Sequence, residues 1–328
     1  MKKVCVLGDG AWGTAIALLL SDNGYDVNLW CHFKEVADQI KECRENKKNF
    51  PGFFLPENIL PTTDLQKALD GVDIIFEAIP VEYLREVLEQ AKPFIFSNHK
   101  FVLLSKGIET KSLMFPYQIV QNIFGEKIEF AVVSGPSFAK DLAAKQITAM
   151  TVAGSCDFAK QIQKILANNY CRPYTSQDIL GVSFGGAVKN VFALGVGILD
   201  GADFGDNTKI FILTRGFASA VELAQKMGAN KDTLYGLSGV GDLILTCMGK
   251  YSKNLNLGRE IGQGKHLNNF DLEVLPEGIN TLKSIDKLAK QFKVEMAEAD
   301  AIYKIIFEKA NVAKTIQKLV DLPLSNEC

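Results

Sequence analysis

The fold is decided by KVCVLGDGAWGTAIALLLSDNG, residues 3–24. A short apolar run, 3–7, has the length of a strand and passes directly into Gly8-Asp9-Gly10-Ala11-Trp12-Gly13. A helical run, TAIALLLSDNG, follows at once. Strand, G-x-G-x-x-G and helix in this order form the entry to a dinucleotide-binding unit. Gly8 permits the tight turn, Gly10 lets the backbone approach a pyrophosphate, and Gly13 lets helix and strand pack closely. The helix N-terminus then presents unpaired N–H groups to phosphate. A second strand is expected over 26–30.

In such units an acidic residue just past the second strand marks NAD by holding the ribose hydroxyls. Here that place reads Trp30-Cys31-His32-Phe33-Lys34, with no carboxylate before Glu35. Asp26 stands at the wrong end of the strand. His32 and Lys34 either meet a ribose 2′-phosphate or are ordinary residues of a solvated loop. NAD and NADP both stay open as cofactors, with a lean toward tolerance of NADP.

Outward from this unit the α/β rhythm continues. Strands are expected over 72–79, 101–104, 130–133 and 147–154. Helices are expected over 37–44, 65–69, 82–92, 113–124 and 157–168, with 46–61 a loop and 171–178 a bridge. This alternation predicts a Rossmann-type, mainly parallel sheet with helices on both faces. Ligands of such sheets sit outside the carboxyl ends of the strands, where Pro80, Lys106 and residues 135–137 fall; the alternative for Lys106 is a loop lysine that merely faces solvent. Beyond position 201 helical patterns dominate: 210–227, 243–247, 255–261, 280–292 and 299–309. A chain of 328 residues is long for one core. The reading is therefore an α/β protein: a dinucleotide-binding domain over 1–177 and an all-α domain over 178–328.

The second domain opens with ILGVSFGGAVKNVFALGVGIL, residues 179–199, which has the length of a membrane span. Its glycines and its central Lys189 argue instead for a helix buried in a soluble protein. A lone buried ammonium is costly unless paired, and burial moves its pKa toward the range useful for acid–base work. The alternative is a lysine whose head snorkels out to water.

Two further stretches are more polar or glycine-rich than a plain bundle needs. In Gly239-Val240-Gly241-Asp242-Leu243, Asp242 is either a helix N-cap or the counter-charge for Lys189. Ser252-Lys253-Asn254 is either a donor-rich trio of the kind that binds phosphate oxygens or, without partners, an ordinary loop.

The net charge of −2 argues against bulk nucleic-acid or membrane binding. Seven scattered cysteines suit reduced cytosolic thiols rather than a disulfide framework. Three His without ligand spacing predict no metal site. The N-terminus turns to Gly and Asp too soon for a signal peptide, so a cytoplasmic location is expected.

The set GDGAWGTA, LLSKGIE, SGPSFA, GGAVKN, LTRG (213–216), GVGDLILTC and SKN resembles bacterial NAD(P)-dependent glycerol-3-phosphate dehydrogenase along essentially the whole chain. The resemblance implies reduction of dihydroxyacetone phosphate to sn-glycerol 3-phosphate for phospholipid synthesis, with NADH or NADPH. It implies Lys189 as catalytic acid/base, Asp242 orienting it, and Lys106 positioning substrate and nicotinamide. Gly135, Ser137, Asn190, Ser252, Lys253 and Asn254 would meet substrate. Ala11, Trp12, His32, Phe33, Phe50, Ala139 and Lys253 would line the cofactor's path, with Leu275 and Glu277 closing over its far end. The partner is a small molecule, with no nucleic acid and no membrane insertion, and there is room for a homodimer.

The chain departs from the family's pattern at Ser183-Phe184, where an acidic residue usually precedes the double glycine. It also has Lys253 where the family carries Arg. Lys is a point charge without the guanidinium's fork, so weaker or differently oriented phosphate binding is expected. Arg259, about a turn on, is a candidate to compensate. Two other readings are a related β-hydroxyacid-type dehydrogenase and a non-catalytic dinucleotide sensor, which would not need both Lys106 and Lys189.

Overall fold

The structure is a computed structural model, described for residues 2–271, 275–324 and 326. Its first part alternates strands and helices. β1 (Lys3–Leu7), α1 (Ala11–Asp22), β2 (Asp26–Trp30) and α2 (Lys34–Cys43) are followed by β3 (Glu45–Asn46), β4 (Phe50–Phe54) and β5 (Ile59–Thr62). Next come α3 (Leu65–Leu69), β6 (Ile74–Glu77), α4 (Val81–Ala91), β7 (Lys100–Leu103), α5 (Pro116–Phe124) and β8 (Glu129–Ser134). The part closes with α6 (Ala139–Ala143), β9 (Thr148–Gly154), α7 (Cys156–Leu166) and β10 (Cys171–Ser176).

Eight strands form one sheet in the order β10-β9-β8-β7-β6-β1-β2-β5. All neighbours run parallel except β8 and β9. Alternate residues of β1 feed opposite faces: Val4 and Val6 join the core under α1 and α7, while Cys5 and Leu7 join the core on the other face. This two-sided burial is what a mainly parallel sheet requires.

Two segments differ from the sequence reading. Residues 46–61 are not a plain loop: β3 and β4 pair antiparallel, and β5 joins the main sheet beside β2. Residues 171–176 are a strand rather than a bridge, with Cys171 and Pro173 buried and Arg172 and Tyr174 exposed. Both β5 and β10 carry a proline, which argues against a central strand but is harmless on an edge, where no ladder partner needs its N–H.

The helical part contains α8 (Ile179–Gly201), α9 (Asp206–Lys226), α10 (Lys231–Leu234), α11 (Asp242–Met248) and α12 (Lys253–Gly262). It ends with α13 (Gly278–Phe292), α14 (Ala297–Phe307) and α15 (Val312–Val320); the run expected over 299–309 is α14, and α15 follows after a break. α8 is the axis of this part. It is long and apolar enough to cross a membrane, yet 83% of that apolar window is buried inside the protein. Its glycines let neighbours approach closely. A Cβ on Gly197 would lie 2.2 Å from the Leu255 carbonyl oxygen, and one on Gly258 would lie 2.3 Å from that of Leu194. α8 and α12 therefore touch backbone to backbone.

Candidate active site

The double glycine of α8 brings two surfaces together. A Cβ on Gly185 would stand 2.5 Å from the Ser238 carbonyl oxygen, and one on Gly186 2.6 Å from Ser134 Oγ. Gly186 thus seats α8 on the end of β8 and beside the stem of Lys106, which lies just past β7. One turn further along α8 comes Lys189.

Lys189 does not snorkel. Its side chain is 11% exposed, and Nζ donates to Asp242 Oδ1 at 2.6 Å and to Thr246 Oγ1 at 3.0 Å. Lys106 Nζ donates to the other oxygen, Asp242 Oδ2, at 2.6 Å and to the Gly135 carbonyl at 3.2 Å. Asp242 is 1% exposed, so two ammonium groups from the two parts of the chain converge on one buried carboxylate. Burial pushes the Lys189 ammonium down to about 8; Asp242 pulls it up and the charge of Lys106 pushes it down again.

Asp242 is not an N-cap. It is the first residue of α11, Gly241 precedes it as the capping position, and no side-chain cap bond forms there. Its carboxylate is taken up by the lysines, while Thr246 one turn on donates to its main-chain oxygen at 2.6 Å.

The other sequence-predicted residues fall into three groups. Gly135, with φ of 149°, lies so close to β9 that a Cβ would meet Met150 Cα at 2.9 Å, and Ser137 Oγ donates to its carbonyl at 3.1 Å. Ala139 begins α6. Asn190 and Asn254 are joined: Asn254 Nδ2 donates to Asn190 Oδ1 at 3.0 Å, and Asn254 Oδ1 accepts from the Gly278 N–H at 3.0 Å. Ser252 caps α12 by accepting from the Leu255 N–H, and Lys253 stands exposed in its first turn. Glu277 is half-buried at the start of α13 and senses the charges of Lys189, Glu77, Lys106 and Lys253; burial pushes its carboxyl up to about 7. Leu275 packs against the helical core.

Arg259 does not reach this site. Its Nε donates to Asp200 Oδ2 at 2.6 Å, near the far end of α8. Eleven residues of helix separate Asp200 from Lys189, roughly 16 Å.

At the glycine loop, Gly8 has a φ of 116°, and a Cβ there would meet the Ala78 carbonyl oxygen at 2.6 Å. A Cβ on Gly13 would lie 2.0 Å from the Gly8 carbonyl oxygen, while one on Gly10 meets no atom within 4 Å. Gly8 and Gly13 serve the protein's own packing, and Gly10 faces open space at the uncapped start of α1. Trp12 Nε1 is buried there without a partner among the described residues. His32 packs edge-on against Phe33 at 4.5 Å, and Lys48 Nζ lies 4.5 Å from the Phe33 ring centre. Lys34 is drawn off to Asp38 along α2. Phe50 is buried in the sheet core and stacks on Phe53 at 4.6 Å. An open backbone cradle at a helix N-terminus fits a dinucleotide pyrophosphate. Among the described residues no cluster of His, Cys, Asp and Glu could hold a metal ion.

Residues 3–159 match the family model for the N-terminus of NAD-dependent glycerol-3-phosphate dehydrogenase, and residues 178–317 match that for its C-terminus. The chain belongs to this dehydrogenase family. A relative from Bacillus pumilus, glycerol-3-phosphate dehydrogenase [NAD(P)+], is 42% identical over 98% of this chain and 94% of its own length. The crystal structure of glycerol-3-phosphate dehydrogenase from Coxiella burnetii superposes with a TM-score of 0.93 at 30% identity, covering 98% of this chain and 99% of that one. The Saccharomyces cerevisiae enzyme superposes at 0.81 with 27% identity, covering 96% and 99%.

Two residues beside the lysine–carboxylate cluster are not singled out by the sequence. Thr246 was signalled only by its place one turn after Asp242. Glu77 closes the apolar strand IIFE directly before the site's loops. It is fully buried, and Oε1 accepts from the Ile79 N–H at 2.6 Å and from Ser105 Oγ, next to Lys106. Its Oε2 has no partner among the described residues, and burial pushes the carboxyl up to about 7. A carboxylate ending an otherwise apolar β-strand was the available signal.

Proposed function

We propose that this dehydrogenase interconverts dihydroxyacetone phosphate and sn-glycerol 3-phosphate, with Lys189 as the acid/base. The dinucleotide, when bound, supplies or accepts the hydride. In reduction, the Lys189 ammonium faces the carbonyl oxygen, stabilises the charge that develops on it and gives it a proton. In oxidation, the neutral amine takes the proton back. A pKa near 8 leaves both forms accessible close to neutrality. Asp242 and Thr246 fix the direction of Nζ, and Lys106, anchored on the same carboxylate and on Gly135, presents a second cation to the substrate. Lys253 and the first turn of α12 suit the substrate phosphate, because the charge and the free N–H groups at a helix start both favour an anion. The free, mostly buried thiols Cys5, Cys31, Cys171 and Cys247 support a reducing cytoplasmic setting, in which the product feeds phospholipid synthesis.

One observation carries this reading: two lysines, from the sheet part and the helical part, share one buried carboxylate beside the strand ends. The test is absorbance at the nicotinamide band with dihydroxyacetone phosphate, for wild type and Lys189→Ala. Wild type should turn over, and the variant should lose roughly 10²–10⁴-fold in kcat while still binding the dinucleotide. An alanine variant of undiminished kcat removes Lys189 from the mechanism.

A further inference from the structure

Asp9, between the first two glycines of the loop, is 7% exposed. Its main-chain oxygen is well served: Asn46 Nδ2 donates to it at 2.7 Å and Asn49 Nδ2 at 3.2 Å. Its carboxylate is not. Besides Asp9's own main-chain N–H, the donors to it from other described residues are the His32 N–H at 3.5 Å and Asn49 Nδ2 at 3.4 Å. Both lie at the outer limit of a hydrogen bond, whereas a carboxylate has room for about four good ones. A buried carboxylate left this short of donors is costly, and burial accordingly pushes its pKa up.

The location is specific. The His32 N–H marks the tip of β2, where dinucleotide folds ordinarily station an acid from the second strand over the adenosine ribose. This chain has no acid there; it has Cys31, His32 and Phe33. The Asp9 carboxylate reaches that same tip from the neighbouring strand's loop.

We infer that Asp9 replaces the missing acid of the second strand: it accepts hydrogen bonds from the ribose diol and makes this enzyme prefer NAD(H) over NADP(H). The diol brings two O–H donors to a carboxylate that lacks them. A 2′-phosphate removes one donor and sets an anion against an anion in a site shielded from water. Among the described residues, His32, Lys34, Lys41 and Lys48 bring basic groups near the tip, and Lys41 lies 3.8 Å from Asp38. Lys34 is paired with Asp38, which leaves Lys48, held over Phe33, as the cation that would work for a 2′-phosphate. His32 and Lys48 both act on Asp9 electrostatically, so the carboxylate also offsets the charge a phosphate would seek.

This inference rests on dinucleotide binding at the glycine loop, and calorimetric titration separates the two claims. NADH and NADPH are titrated into wild type, Asp9→Asn and Lys48→Ala. Wild type should bind NADH at least roughly tenfold more tightly than NADPH, the worth of one charge-assisted bond. Asp9→Asn should shrink that ratio several-fold, chiefly by tighter NADPH binding, and Lys48→Ala should preserve or widen it. Equal affinities or tighter NADPH binding in wild type overturn the inference, as does an unchanged ratio in Asp9→Asn. Wild type binding neither dinucleotide overturns the functional reading itself and the inference with it. If Asp9→Asn fails to fold, the wild-type ratio alone decides.

Discussion

The glycine loop at residues 8–13 and the lysine pair at the seam between the two parts build their sites in opposite ways. In the loop, six consecutive residues supply the turn, the open cradle and the start of α1, and the working groups are main-chain N–H. At the seam, Lys106, Lys189 and Asp242 come from three elements, with 136 residues between the outermost pair, and the working groups are buried charges. A local site needs the absence of side chains, so single atoms decide it through space. A non-local one depends on charge balance, so losing one partner strands the others.

The largest effect should come from breaking that balance. Asp242→Asn leaves two buried ammonium groups without their counter-charge. It should cost about 3–5 kcal/mol of stability and reduce kcat by roughly 10²-fold or more. Because Asp242 holds the Lys189 pKa up, the amine should titrate below 8 in the variant. The pH at which reduction falls off, where the ammonium is lost, should move down with it. A profile that stays in place would detach Lys189 from Asp242.

The loop should break differently. Gly13→Ala forces a methyl onto the Gly8 carbonyl and should destabilise by at least about 1–3 kcal/mol. Gly10→Ala meets nothing in the protein, so its melting temperature should stay within the change expected for about 0.5 kcal/mol, while dinucleotide affinity drops. Equal melting shifts for the two would remove the distinction between packing glycine and cradle glycine.

Glu77 lies between these regions and sharpens the contrast. Its folded pKa of about 7 stands above the ordinary 4.5, so the folded protein holds the extra proton between those values. This group's contribution to stability is therefore present at low pH and lost as pH rises through about 7. Glu77→Gln should gain on wild type by about 1–3 kcal/mol between about pH 5 and pH 8, read from melts at both. A gain independent of pH would mean that the carboxyl does not titrate there.

The smallest effect belongs to the phosphate end. Lys253→Arg should lower the KM for dihydroxyacetone phosphate by an amount worth about 1–2 kcal/mol, since the fork can make a second bond to phosphate. An unchanged or higher KM would count against Lys253 as a phosphate ligand.

By itself the sequence determined the dinucleotide-binding entry, the α/β rhythm, the helical second part and the placing of one lysine in the middle of an apolar helix. Each of these is written in contiguous residues: glycine spacing, apolar periodicity, one charge in an apolar helix. Only the tertiary structure decided between alternatives that hinge on distance. It made Asp242 the shared counter-charge of two lysines rather than a helix cap, and tied Arg259 to Asp200. It brought Glu77 against the Lys106 loop, and admitted the proline-bearing β5 and β10 to the sheet as edge strands. The physical reason is the same throughout. Local conformation follows from neighbours along the chain, but the state of a buried charge depends on groups that meet only once the chain has folded.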